Sequence, residues 1–241
     1  MKNETEVLFF AYADENYYPF VLPYIFSVLK NTNDSVEIIV SDKKKFYDMY
    51  GKKISNIFSN CDVNANRFKD IESLSKNIIP NLLRFMIVPR TISDSKYTYY
   101  TDVDMLITKK LYKLALKNNI EKMDKNKTSY FNIVRPSGIH LSGIHFVNNK
   151  KYYPKIISFL DNVKDTTKYN NMIGENFLYH MMTEVFEDPS VTCKDNKRIL
   201  PGHHVTRNVL RKYTDIKAEL CKDPEWEYAF TQFSPEFLKM F

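Results

Sequence analysis

Apolar and polar positions fall along the chain in blocks that set its architecture. Val7 to Tyr12 (VLFFAY) is an unbroken apolar run between polar flanks, the mark of a strand buried on both faces. The polar turn Ala13-Asp14-Glu15-Asn16 follows, then a helical pattern over Tyr17 to Leu29, then a second apolar run from Val36 to Val40, closed by Ser41-Asp42. Strand, helix, strand at this spacing predicts a βαβ unit and a parallel sheet. Asn81 to Val88 reads as a helix that stops ahead of Pro89. Tyr97 to Tyr100 is a third strong strand, leading into Thr101-Asp102-Val103-Asp104. In the second half, Tyr130 to Val134 and Ile144 to Val147 read as strands, and Lys150 to Val163 and Asn176 to Val185 as helices. From Thr206 onward the pattern turns basic and aromatic (Trp226, Phe230, Phe233, Phe237, Phe241), which predicts an irregular tail. The expectation is one α/β domain.

Composition agrees with that picture. A chain of 241 residues with 44% apolar and 27% charged residues is long enough to bury a sizeable core. With only 5 Gly and 10 Pro, neither a disordered linker nor a fibrous repeat is expected. The formal net charge of +6 would suit an anionic partner. The charges are scattered, however, and the longest run is Lys43 to Lys45, so a solvated lysine-rich surface is the simpler reading and nucleic acid is not an expected partner. Three widely spaced cysteines (Cys61, Cys193, Cys221) offer neither a disulfide framework nor a zinc ribbon, and they point to a reducing compartment. The opening residues are polar and form no signal peptide, and no run approaches the ~20 apolar residues that span a bilayer. A cytoplasmic protein, at most peripheral at the inner face of the membrane, is expected.

The sharpest chemical feature is Asp102-Val103-Asp104. Open α/β sheets bind ligands beyond the carboxyl ends of their strands, which is where this triplet falls. Alternation would turn Asp102 and Asp104 to one side and Val103 into the core. Two hard carboxylates there suit Mg²⁺ or Mn²⁺, with positions left for phosphate oxygens. A solvated turn is the competing reading. Four of the five glycines (Gly138, Gly143, Gly174, Gly202) lie in second-half loops beside polar residues, where backbone turns tightly or approaches a ligand. Two copies of Ser-Gly-Ile-His, Ser137 to His140 and Ser142 to His145, are too short to be a structural repeat, and their histidines could face an acceptor or be structural.

Taken in order, these pieces resemble the retaining GT-A glycosyltransferases of the bacterial lipopolysaccharide galactosyltransferase and glycogenin type (family 8). FAYADENYYPFVLPYIFSVLKN looks like the family's opening strand, turn and helix. Arg84 ahead of YTYYTDVDMLI is similar to its arginine helix and Asp-x-Asp strand. LSGIHFVNN, GENFLYHM and HHVTR resemble its Asn-Ser-Gly strand, its Asp-Gln helix start and its late His-x-Thr-Gly element. The series covers Val7 to about Arg207. The resemblance implies a Rossmann-like nucleotide-sugar-binding domain with a mixed central sheet: a nucleotide-binding half (1–110), an acceptor and donor-sugar half (111–205) and the tail (206–241). It implies a UDP-sugar donor, a Mn²⁺ (or Mg²⁺) cofactor and a glycan or lipid-linked saccharide acceptor. By position, Tyr12, Asp14 and Asn16 would line the nucleoside pocket, although Asp14 and Asn16 also read as a helix N-cap turn. Arg84 would contact the donor sugar or its phosphate, and Ser142 and Gly143 would line the donor site. Asp102 and Asp104 would hold the metal with His204, His203 being the competitor. Glu175, where the family has Gln, would act as nucleophile or ion-pair stabiliser.

Several positions depart from the pattern. Leu141 stands for the family's Asn, Gly174 for its Asp and Arg207 for the Gly of the late element, while the Lys-Pro-Trp that should follow is absent. Arg207 or Arg211 is the candidate for the missing phosphate contact. The aromatic tail, beside Lys212, Lys217 and Lys222, is offered either as a peripheral membrane contact or as a cap over the core. A sugar-phosphate nucleotidyltransferase would need a glycine-rich phosphate loop after the first strand, and ADENYY is acidic and glycine-free. A non-catalytic GT-A relative stays open.

Overall fold

The computed structural model describes residues 5–72, 82–136, 138, 140–163, 169, 172–186, 189, 198–206 and 210–239. The first apolar run is strand β1 (Thr5–Ala13), and it enters helix α1 (Tyr18–Asn31) through a 3-10 turn capped by Asp14. Next come β2 (Ser35–Val40), α2 (Lys43–Asn60) and β3 (Phe68–Glu72). The arginine segment is one short helix, α3 (Leu83–Met86), and β4 (Ser95–Tyr100) follows it. The second half supplies β5 (Met105–Ile107), α4 (Lys109–Asn126), β6 (Tyr130–Phe131), β7 (His145–Asn148), α5 (Asn149–Asn162) and α6 (Gly174–Val185). It closes with β8 (Gly202–His204) and the helices α7 (Leu210–Leu220), α8 (Pro224–Gln232) and α9 (Pro235–Leu238).

The main sheet has the order β3-β2-β1-β4-β7-β6. Strands β3, β2, β1 and β4 are parallel, and β7 and β6 continue the sheet antiparallel. It is therefore the mixed sheet expected, in an α/β fold. Consecutive residues of β1 feed opposite cores: Phe9 packs with α1 and α2, and Phe10 with Leu82, Phe85, Tyr100 and α6. A sheet covered on both faces explains why β1 reads as a continuous apolar run. The small sheet β5-β8 is antiparallel and lies beyond the tip of β4.

The tail is not irregular. Residues 210–220, 224–232 and 235–238 are helical, with Asp223 and Ser234 capping α8 and α9. Their aromatics form the underside of the core, where Trp226 meets Phe26 edge-on at 4.7 Å and Phe237 is fully buried. Buried rings cannot also lie on a lipid surface, so the cap reading holds for Trp226, Phe230, Phe233 and Phe237. Among the described residues, no helix is long and apolar enough to cross a membrane.

Candidate metal and donor site

Helix α1 fixes both ends of the Asp102–Asp104 segment. Tyr24 bonds through its hydroxyl to Thr101 Oγ1, just ahead of the aspartates. Beyond them, Ser27 Oγ accepts from the Ile107 amide (3.0 Å) and Asn31 donates to the Ile107 carbonyl (2.8 Å). The β4 ladder extends one step further through Thr101 N–H to the Phe10 carbonyl (3.0 Å). Residues 101–104 form a bend between β4 and β5, not strand, and Val103 is buried there between the two aspartates in sequence.

Opposite this segment, β8 pairs with β5 in a register that sets Met105 against His204 and Leu106 against His203. The pairing demands Gly202, since a Cβ there would lie 2.1 Å from the Leu106 carbonyl oxygen. Successive β8 side chains point to opposite faces. His204 faces the aspartates, with Nε2 3.8 Å from Asp102 and Nδ1 3.5 Å from Asp104. His203 instead lines a separate cavity with Lys110 and Trp226. One ligand atom from each of Asp102, Asp104 and His204 lies within 4.8 Å of the others. Asp104 is buried; its Oδ2 accepts from the Thr206 hydroxyl, while Oδ1 has no hydrogen-bond partner among the described residues. A buried carboxylate oxygen without a donor costs free energy unless a cation meets it. Two hard oxygens and an imidazole nitrogen fit a divalent cation.

A second layer lies beside the carboxylates. Arg84 pairs with Asp102 and also donates to the Thr101 carbonyl (3.2 Å). Its guanidinium lies over Gly143, where a Cβ would sit 2.4 Å from Nη2. On the other side of Gly143 stands Glu175, whose Oε1 accepts from the Gly143 amide (2.9 Å) and from Arg135 (3.1 Å). Arg198 donates to Ser142 Oγ (2.6 Å) and the Ile144 carbonyl (3.0 Å).

Comparison with known proteins gives the following. No protein-family model matches the chain, and no curated protein sequence matches it. Among solved structures, the glycosyltransferase GlyE of Streptococcus pneumoniae TIGR4 aligns at 15% identity and a TM-score of 0.46, over 77% of this chain and 44% of that one. The galactosyltransferase LgtC, solved with donor and acceptor sugar analogues, aligns at 13% identity and a TM-score of 0.42, over 81% of this chain and 85% of its own. The bifunctional glycosyltransferase WbbM aligns at 11% and 0.43, over 95% and 45%. The chain thus spans under half the length of the GlyE and WbbM chains.

The expected site residues fall into three groups. Arg84, Asp102, Asp104, Ser142, Gly143, Glu175 and His204 are brought together. Tyr12, Asp14 and Asn16 lie at the end of β1, beside the tip of β4, on the same edge of the sheet. There the N-cap reading is realised, with Asp14 Oδ1 accepting from the Asn16 amide (2.9 Å). Burial, then the charge of Asp14, pushes the half-buried Tyr12 phenol up to about 12, so it stays a neutral donor. Arg207 lies outside the described residues, as do Ser137, Ile139, Cys193, Phe241 and the side chain of Arg211.

Of the two readings of His145, the structural one holds. His145 faces no acceptor; it is fully buried among Tyr100, Tyr130 and Tyr152. Burial holds its imidazole down to about 3, and its Nδ1 meets the Asn132 amide at 3.0 Å. The same Asn132 accepts from the Ser142 amide (3.1 Å) and donates to the Ser142 carbonyl (2.9 Å), so one buried amide shapes the Ser142–Gly143 turn. The sequence pattern missed Asn132, Arg135 and Arg198. Asn132 and Arg135 are single polar residues between apolar neighbours, and Arg198 ends a polar run, Lys194 to Lys197, that reads as solvated surface.

Proposed function

We propose that the chain is a metal-dependent glycosyltransferase of GT-A type that moves a hexose from a UDP-sugar, with retention. Its acceptor would be a glycan or lipid-linked saccharide of the bacterial surface-polysaccharide kind. The observation that carries this is the convergence of Asp102, Asp104 and His204 at the tip of the central strand, with a buried carboxylate oxygen left for a cation. Formal charge supports it. Arg84, Arg135 and Arg198 balance Asp102, Asp104 and Glu175, so the pocket accepts a dication and a diphosphate together at little net charge.

A divalent ion held by Asp102, Asp104 and His204 would supply positive charge to the diphosphate as the sugar–phosphate bond breaks. Arg84, anchored on Asp102 and the Thr101 carbonyl, keeps a guanidinium over Gly143, and that glycine lets the guanidinium come close to the backbone. Glu175 is held by the Gly143 amide and Arg135, so a negative charge stands fixed beside the sugar as it gains oxocarbenium character. The acceptor hydroxyl adds to the anomeric carbon, and its proton passes to the departing phosphate oxygen. Tyr12, Asp14 and Asn16 would take the nucleoside.

The test is a panel of nucleotide sugars with Mn²⁺, scored by release of free nucleotide. UDP-hexoses should give the strongest signal, and Asp104→Asn should abolish it. Turnover without metal, or turnover undiminished in Asp104→Asn, would overturn the mechanism.

A further inference from the structure

Three guanidinium groups surround the Ser142–Ile144 turn, and they are not equivalent. Arg84 has Asp102 as its carboxylate and Arg135 has Glu175. Arg198 has no carboxylate in ion-pair contact among the described residues. Its bonds go to two neutral oxygens, Ser142 Oγ and the Ile144 carbonyl, and its Nε is buried without a partner among them. The cost shows in its acidity: burial pulls the guanidinium below its ordinary range, and the nearby positive charge of Arg135 adds to that. A charge taken out of water without a counter-ion is unfavourable, and folded proteins keep one only where something else supplies the partner. The acids that act on Arg198 from a distance, Asp102 and Glu175, are already engaged with Arg84 and Arg135.

Resting on the glycosyltransferase reading, we infer that Arg198 is an anion-binding residue of the donor site, whose missing counter-ion is an anionic oxygen of the donor itself. The contacts run from Asp102 to Arg84, across Gly143 to Ser142, and so to Arg198, which holds the same turn that Arg84 covers. Two sources carry that chemistry: the diphosphate, or a carboxylate on the transferred sugar. The balance of three arginines against three carboxylates favours the diphosphate, because a sugar carboxylate would leave one negative charge over. The planar fork of arginine suits either oxyanion. Arg198 would thereby supply the phosphate contact that the sequence assigns to Arg207 or Arg211.

The experiment titrates wild type, Arg198→Met, Arg198→Gln and Arg198→Lys by calorimetry with Mn²⁺ and four probes: inorganic pyrophosphate, UDP, UDP-glucose and UDP-glucuronate. Thermal unfolding is followed on each protein. Gln keeps N–H donors for Ser142 and Ile144 but loses the charge, whereas Lys keeps the charge. Arg198→Met and Arg198→Gln should bind pyrophosphate, UDP and both UDP-sugars roughly 10- to 100-fold more weakly, with Arg198→Lys between them and wild type. A loss confined to UDP-glucuronate assigns the anion to the sugar carboxylate. Affinity that follows the donors rather than the charge (Gln above Lys), or that stays within two-fold of wild type in a cooperatively folding Arg198→Met, overturns the assignment. Wild type that binds none of the four probes defeats the glycosyltransferase reading itself, and this inference with it.

Discussion

At the scale of single residues, Gly143 is a demanding position in the site. A methyl group there would meet the end of the Arg84 side chain at 2.4 Å and Glu175 Oε1 at 3.3 Å. The first of these is the tip of a flexible chain, so it yields before the backbone does. Gly143→Ala should therefore keep the fold, with a stability change within about 1 kcal/mol. It should displace Arg84 from Asp102 and lower kcat/KM roughly 10- to 100-fold, a loss of about 1.4–2.7 kcal/mol of transition-state stabilisation. Steady-state kinetics beside urea unfolding separates the two effects. The sequence already marks the candidate metal carboxylates, because two acids follow a strong strand. Arg135 and Arg198 were not legible, since their meaning lies in which partners they have or lack, and partners come from segments far apart in the chain. Leu141 makes the same point. It stands where a polar residue is expected, and it is fully buried in the apolar core under α6.

Among elements, the pair β5-β8 decides whether the ligand set closes. Gly202 sits against the Leu106 backbone with no room for a side chain. Unlike the contact at Gly143, this one is with main chain, which cannot swing aside. Gly202→Ala should break the pairing that aims His204 at the carboxylates, and Mn²⁺ affinity, read by calorimetry, should fall about 10-fold or more. Unchanged affinity would mean that His204 is not a ligand. The long apolar strands were legible, since burial on both faces leaves nothing but apolar residues. The helices α2 and α4 were not. Each buries only a narrow stripe (Phe46, Tyr50, Ile54 and Ile57 in α2) among many lysines and asparagines, so the helical period is diluted by the polar face. The helices after residue 210 were missed for a related reason. Their aromatics are spread over three short segments, and tertiary packing, not local period, makes them helical.

For the molecule as a whole, stability has an acid limb built into its core. His145 is held near 3 in the folded state against about 6.5 when exposed, because burial disfavours the imidazolium. A depressed folded value gives stability that is fully present above the unfolded value and is lost as pH falls from about 6.5 toward 3. At 1.4 kcal/mol per unit, the loss across that window is about 4–5 kcal/mol. Unfolding free energies from urea titration should therefore fall by about 2–3 kcal/mol more for wild type than for His145→Gln between pH 7 and pH 4.5. Parallel acid limbs would show that His145 is not the cause. The C-terminal helices are equally integral. Trp226→Ala should cost about 3–5 kcal/mol, seen as an early melting transition, because the indole is buried against Phe26 and Phe230.

The bond from the Thr206 hydroxyl to Asp104 spans 102 positions of sequence. A growing polypeptide that has emerged only through α6 owns both aspartates yet has no strand to bring histidine to them. On the proposed reading, capture of a divalent ion would be a late event in synthesis, and ion retention by pulse-labelled truncations of increasing length would become a clock for when the second half docks onto the first.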